Sequence, residues 1–139
     1  MGNQILITND DGIGAPALSV LERELRGLGR TTIVAPEREM SAQSHSITLN
    51  RPLRYHPAGS GRFAVDGTPA DGVILACLRI LEERPDLLIS GINRGRNVGD
   101  AILYSGTIAA ASEGASQGIP SIAVSLEYSE QMDYASAAE

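Results

Sequence analysis

The sequence predicts an α/β protein in which a mainly parallel sheet is covered by helices on both faces. Three observations carry that expectation. The strand-like segments are short, continuous apolar runs of the kind buried on both sides. Helical patterns alternate with them along the chain. Polar clusters follow the strands directly, where open α/β sheets gather their ligand sites.

Gln4-Ile5-Leu6-Ile7-Thr8 reads as the first buried strand. Pro16 then suits the first turn of a helix, and Leu18, Leu21, Leu25 and Leu28 recur at helical spacing until Gly29 stops it. Thr31-Thr32-Ile33-Val34-Ala35 forms the second strand, ended by Pro36, and Glu37 to Ser46 is polar. Ile47 to Tyr55 and Arg62 to Val65 are expected as weaker strands of a small β-hairpin insertion around Gly59-Ser60-Gly61. Thr68-Pro69-Ala70-Asp71 has the form of a capping box opening a helix that carries Val73, Ile74, Cys77, Leu78 and Leu81 and ends before Pro85. Asp86 to Ser90 is the next strand, Gly91 to Asp100 a glycine-rich loop, Ser105 to Gln117 an alanine-rich helix, and Ile119 to Leu126 a further strand. No composition shift divides residues 1–139, so one domain is expected.

At 139 residues, 42% of them hydrophobic and 20% charged, the chain can build one core and is not of disordered type. A net charge of −6 argues against gripping a nucleic-acid polymer by counterion release. Cys77 is the lone cysteine, which excludes an internal disulfide and fits a reducing compartment. Neither a leader-like N-terminus nor an apolar run of membrane length is apparent, so a cytoplasmic protein without a membrane partner is expected. All 11 basic residues are Arg, which excludes any mechanism that needs a lysine.

The first polar cluster is Asn9-Asp10-Asp11-Gly12. Adjacent carboxylates in a turn can bind a hard divalent cation, and a solvated acidic turn is the plain alternative. The second, Ser41 to Ser46, offers a neutral oxygen in Ser41 and an acid–base group in His45, or simply a polar surface loop. The third, Ser90 to Asp100, brings three glycines, Asn93, Asn97 and two arginines, Arg94 and Arg96, that can complement phosphate. Ser105-Gly106-Thr107 opens a helix whose free N–H groups suit a phosphate dianion, and ordinary capping by Ser105 is the alternative.

These segments together resemble the survival protein SurE family of metal-dependent 5′- and 3′-nucleotidases. The resemblance runs through "ILITNDDG", "VAPEREMSAQSHSITLNRPL", "GTPADGV", "LLISGINRGRN" and "YSGTIAAASEG", in family order from residue 4 to about residue 126. It implies a Rossmann-like three-layer α/β/α core binding one divalent metal ion, Mg²⁺ or Mn²⁺. The family's metal ligands fall on Asp10, Asp11, Ser41 and Asn93, and its phosphate-contacting positions on Asn97, Ser105, Gly106 and Thr107. Two positions depart from the pattern: Arg96 where the family often has Pro, and Gly72 where it commonly has Cys. Family members continue beyond the position of Glu139 with a segment that completes the active site, exchanges between subunits and carries the proposed catalytic histidine. Weak turnover is therefore expected of residues 1–139 alone.

The expected activity is metal-assisted hydrolysis of nucleoside 5′- and 3′-monophosphates, with Asp10 and Asp11 as the catalytic carboxylates and a homodimer or homotetramer as the assembly. A covalent aspartyl phosphatase fits less well, because the aspartates are adjacent and the required lysine is missing. A phospho-receiver module fails on the same lysine and on Ser90-Gly91 where it needs an aspartate. A plain dinucleotide-binding module lacks the glycine turn after the first strand.

Overall fold

The computed structural model describes residues 2–139. Strand β1 spans Asn3–Thr8, helix α1 Pro16–Leu25, β2 Gly29–Pro36, β3 Tyr55–Gly59, β4 Arg62–Val65 and α2 Pro69–Leu75. Strand β5 spans Leu87–Arg94, α3 Gly106–Ser116, β6 Ser121–Leu126 and a short α4 Tyr134–Ala138. The six strands form one sheet in the order β3-β4-β2-β1-β5-β6, parallel except for β3.

Alternation along each strand builds the three layers. Ile5 and Ile7 of β1, Ile33 and Ala35 of β2 and Ile89 of β5 pack on Ala17, Leu18, Leu21 and Leu25 of α1. The intervening Leu6, Val34 and Leu88 turn to the opposite face, under Val73 of α2 and Ala110 and Ala111 of α3. Small residues on α3 let that helix lie close to the sheet. The chain runs outward from β1 through β2 to β4, then returns to build β5 and β6 on the other side, so strand order reverses between β1 and β5. A crevice at the carboxyl ends of the strands opens at such a reversal.

Local structure departs from the sequence reading at several points. Helix α1 ends at Leu25, and Leu28 is 62% exposed in the turn beyond it. Gly29 does not stop the helix but begins β2, where a side chain would strike the backbone oxygen of Asn3. Ile47 to Arg54 forms no strand; β3 starts at Tyr55, and the hairpin is one edge of the main sheet rather than an appendage. The second helix widens into a π-helical turn at Ala76–Ile80, which leaves Leu78 69% exposed. The loop expected from Gly91 is strand as far as Arg94, and a 3₁₀ helix occupies Gly99–Tyr104. The capping box at Thr68 is present as expected, with the Thr68 side chain accepting from Asp71 N and the Asp71 side chain accepting from Thr68 N.

Candidate active site

The turn after β1 is shaped by Asn9, which is fully buried. Its Nδ2 donates to the Gly12 carbonyl at 3.0 Å and its Oδ1 accepts from Gly12 N at 3.1 Å. Gly12 has φ +100°, which a side-chain-bearing residue rarely adopts, so the ring closes tightly around Asp10 and Asp11. Asp10 is 4% exposed and accepts from Thr107 Oγ1 at 2.7 Å. Its backbone carbonyl accepts from Met40 N at 2.8 Å. Asp11 is half-buried, with Arg94 N 3.4 Å from its Oδ2.

Burial raises the pKa of Asp10, and the Thr107 hydrogen bond offsets only part of that. Asp11 is raised too, first by burial and then by the negative charge of Asp10 beside it. Two carboxylates that hold their protons more tightly than usual, with little compensating positive charge, favour a cation as their partner.

A cavity of about 400 Å³ opens over this turn, lined by Asp10, Ser41, Asn93, Asn97, Tyr104 and Ser105 among others. Ser41 donates its hydroxyl to Glu39 Oε1 at 2.8 Å, which leaves its lone pairs free. Asn93 donates Nδ2 to the Gly95 carbonyl at 2.7 Å, and its amide oxygen is left to accept or ligate. A regular β5 would turn Asn93 to the same side as Ile89. The β5–β6 register shifts between Ser90 and Asn93, and Ile92 joins Ile89 in the α1 core. The shift places Asn93 on the face that Asp10 shares.

Asn97 donates to Ser125 Oγ at 2.7 Å. Ser105 caps α3 by accepting from Ile108 N at 3.2 Å, and the first helical N–H groups, of Gly106 and Thr107, have no acceptor within the helix. Gly106 and Thr107 are buried behind Asp10 rather than in the cavity wall. A Cβ on Gly106 would lie 2.9 Å from Asp10 Cβ and 3.1 Å from Pro69 Cγ, so this glycine lets α3 reach the acidic turn.

Sequence reasoning gave no role to Asn9, Tyr104 or Glu39. Asn9 carried a readable signal, the Asn-x-x-Gly spacing of a side-chain-closed turn. The two arginines of the third cluster separate. Arg94 lines the cavity and lies over the Tyr128 ring, 4.8 Å from its centre, whereas Arg96 is exposed and paired with Glu127. Among the described residues no three His, Cys, Asp or Glu side chains converge. Of the four expected ligands, Asp10, Ser41 and Asn93 line the cavity and Asp11 does not. Oxygen donors of this kind suit a hard divalent cation that retains water better than a thiolate- or imidazole-seeking metal.

Residues 5–139 match the family model described as Survival protein SurE. The chain belongs to the survival protein SurE family. The 5′-nucleotidase SurE of Gemmatimonas aurantiaca is 57% identical over 123 residues, covering 88% of this chain and 49% of that protein. The protein of the same name from Pelobacter propionicus is 54% identical over 127 residues, covering 91% of this chain and 51% of its own. The crystal structure of the SurE protein from Aquifex aeolicus superposes with a TM-score of 0.92 at 44% identity, over 97% of this chain and 55% of that one. The chain thus spans about half the length of the curated relatives it matches. Among the described residues no helix is long and apolar enough to cross a membrane.

Proposed function

We propose that this chain forms the metal- and phosphate-binding half of a nucleotidase, a phosphomonoesterase acting on nucleoside 5′- and 3′-monophosphates. One observation carries the reading: the buried Asp10 is joined at 2.7 Å to Thr107 in the first turn of α3. An acidic turn and a helix amino terminus therefore flank one cavity. Cation and phosphate dianion need those two environments side by side. The relatives named 5′-nucleotidase SurE support the nucleotide as substrate.

Asp10, Asp11, Ser41 and Asn93 would hold one Mg²⁺ or Mn²⁺. A bound divalent cation supplies Lewis acidity and charge neutralisation to a phosphate monoester. Ser105 and Asn97 orient the phosphate from the cavity wall, and the amino end of α3 at Gly106 and Thr107 adds the positive end of the helix dipole. Thr107 keeps Asp10 in one rotamer by donating to it, so the carboxylate is oriented before ligand arrives. An acid-phosphatase-like breadth of phosphoester substrates follows if recognition centres on the phosphate. We also propose a cytoplasmic homodimer or homotetramer, supported by the position of β6 at the sheet edge, with Ile122 49% exposed.

The test is phosphate release from a nucleoside 5′-monophosphate with Mn²⁺ and with EDTA, for the parent and Asp10→Ala. Release should depend on metal in the parent and fall about 10²-fold or more in the variant, the usual scale for losing a charge-stabilising group. Undiminished metal-dependent release by Asp10→Ala would sink the assignment.

A further inference from the structure

The segment from Met40 to Thr48 crosses the carboxyl end of the sheet in turns, without strand or helix. It is tied at both ends. Met40 N donates to the Asp10 carbonyl at 2.8 Å, and Thr48 donates from N and Oγ1 to the two oxygens of Asp71 at 2.9 and 2.7 Å. Between these ties Ala42 and Ser44 sit at φ 57° and 52°, left-handed conformations that residues other than glycine hold only when their surroundings impose them. Ser44 N donates to the Tyr104 carbonyl at 3.0 Å. The next residue, His45, brings its Nε2 to 3.0 Å from Glu113 Oε2 on α3. A carboxylate can only accept, so Nε2 carries the hydrogen. The Glu113 carboxylate is itself held, since its other oxygen accepts from Gln117 Nε2 at 2.8 Å.

Helix α3 therefore touches the site twice: at Asp10 through Thr107, and at the loop through Glu113. We infer that His45 and Glu113 are a positioning pair, which braces the left-handed segment so that Ser41 is held over the acidic turn. The inference rests on the metal reading proposed above. Neither residue lines the cavity, and both act through Ser41. His45, with its side chain 45% exposed, contributes little to the core, so its loss should spare the fold.

The experiment is calorimetric titration of the metal-free chain with Mn²⁺, paired with thermal melts, for the parent, Asp10→Ala, His45→Ala, Glu113→Ala and Glu113→Gln. His45→Ala and Glu113→Ala should each weaken Mn²⁺ binding about tenfold, the low end for groups that orient metal ligands. Glu113→Gln keeps an oxygen for His45 and should restore most of that affinity. A merely structural contact would lower the melting temperature and leave Mn²⁺ affinity untouched, and that result overturns the pair's role. If Asp10→Ala loses Mn²⁺ while both alanine variants bind like the parent, the metal site stands and the brace fails. If the parent shows no Asp10-dependent Mn²⁺ binding, the metal reading fails and the brace with it.

Discussion

Helices α2 and α3 begin side by side at the carboxyl end of the sheet, and each amino terminus holds a buried aspartate in a different way. At α2 the carboxylate comes from within the helix. Asp71 is 1% exposed and accepts from Thr68 N at 2.9 Å and from Thr48 N and Oγ1, so its oxygens are saturated by fixed donors. At α3 the carboxylate arrives from another strand. Asp10 is met by the hydroxyl and the backbone N–H of Thr107, burial still raises its pKa, and it lines the cavity. A carboxylate enclosed among fixed donors is a structural tie, whereas one that lines a cavity is available for a ligand. The two termini share fold position and burial, and access to the cavity separates their roles.

The sharpest way to break that contrast is to remove the saturated carboxylate. Asp71→Ala strands the Thr48 and Thr68 N–H groups and releases the loop, and should cost about 3 kcal/mol in urea unfolding. A loss near zero would show that Asp71 ties nothing.

Glycines near the two termini give the next effect. Gly106→Ala drives a Cβ against Asp10 and Pro69 and should destabilise by about 1–3 kcal/mol, as overpacking does. Gly72→Ala meets only ordinary contacts, 3.6 Å from the Val34 carbonyl and beyond, inside a helix. It should stabilise by about 0.5–1 kcal/mol through reduced freedom of the unfolded chain. Differential scanning calorimetry of both variants reads the opposite signs, and equal signs would dissolve the distinction.

The smallest effect is a pH dependence in the metal-free chain. The pKa of Asp10 is raised on folding, so its contribution to stability is fully present below the ordinary carboxylate pKa and is lost as pH rises through the folded value. Asp10→Asn removes that loss and eases the repulsion on Asp11, while Thr107 keeps an acceptor. In EDTA the variant should melt a few degrees above the parent at pH 7, and the gap should close towards pH 4. A gap constant across that range would mean that Asp10 ionisation does not weaken the fold.

Much of the sheet was legible because its physics is local. β1 and the core of β2 are apolar runs with β-branched residues, and the α1 stripe from Leu18 to Leu25 repeats at helical spacing. The capping box at Thr68 is a four-residue pattern, and Ser105 marks the start of α3. The reading failed where a long-range contact overrode local preference. Ile47 to Arg54 has strand-like residues but follows the ties at Thr48 and Arg51, where the Asp71 carboxylate and the Asp66 ion pair hold it. Gly29 looked like a helix stop because its close neighbour, Asn3, is 26 positions earlier and invisible to a local pattern. Leu78 fits a helical stripe, yet the π-helical turn rotates it to the surface.

The sequence by itself determined the alternating α/β order, the acidic turn after the first strand, and the residue types able to bind cation and phosphate. Those follow from spacing and side-chain chemistry within a few positions. Only the tertiary structure decided which of them meet. The order reversal between β1 and β5 opened the crevice, and the β5–β6 register shift brought Asn93 to the face of Asp10. The missing side chain at Gly106 let α3 close on Asp10, burying that carboxylate and raising its pKa. These outcomes depend on packing between segments up to about a hundred residues apart, where one shifted pair or one methyl group changes which atoms face each other.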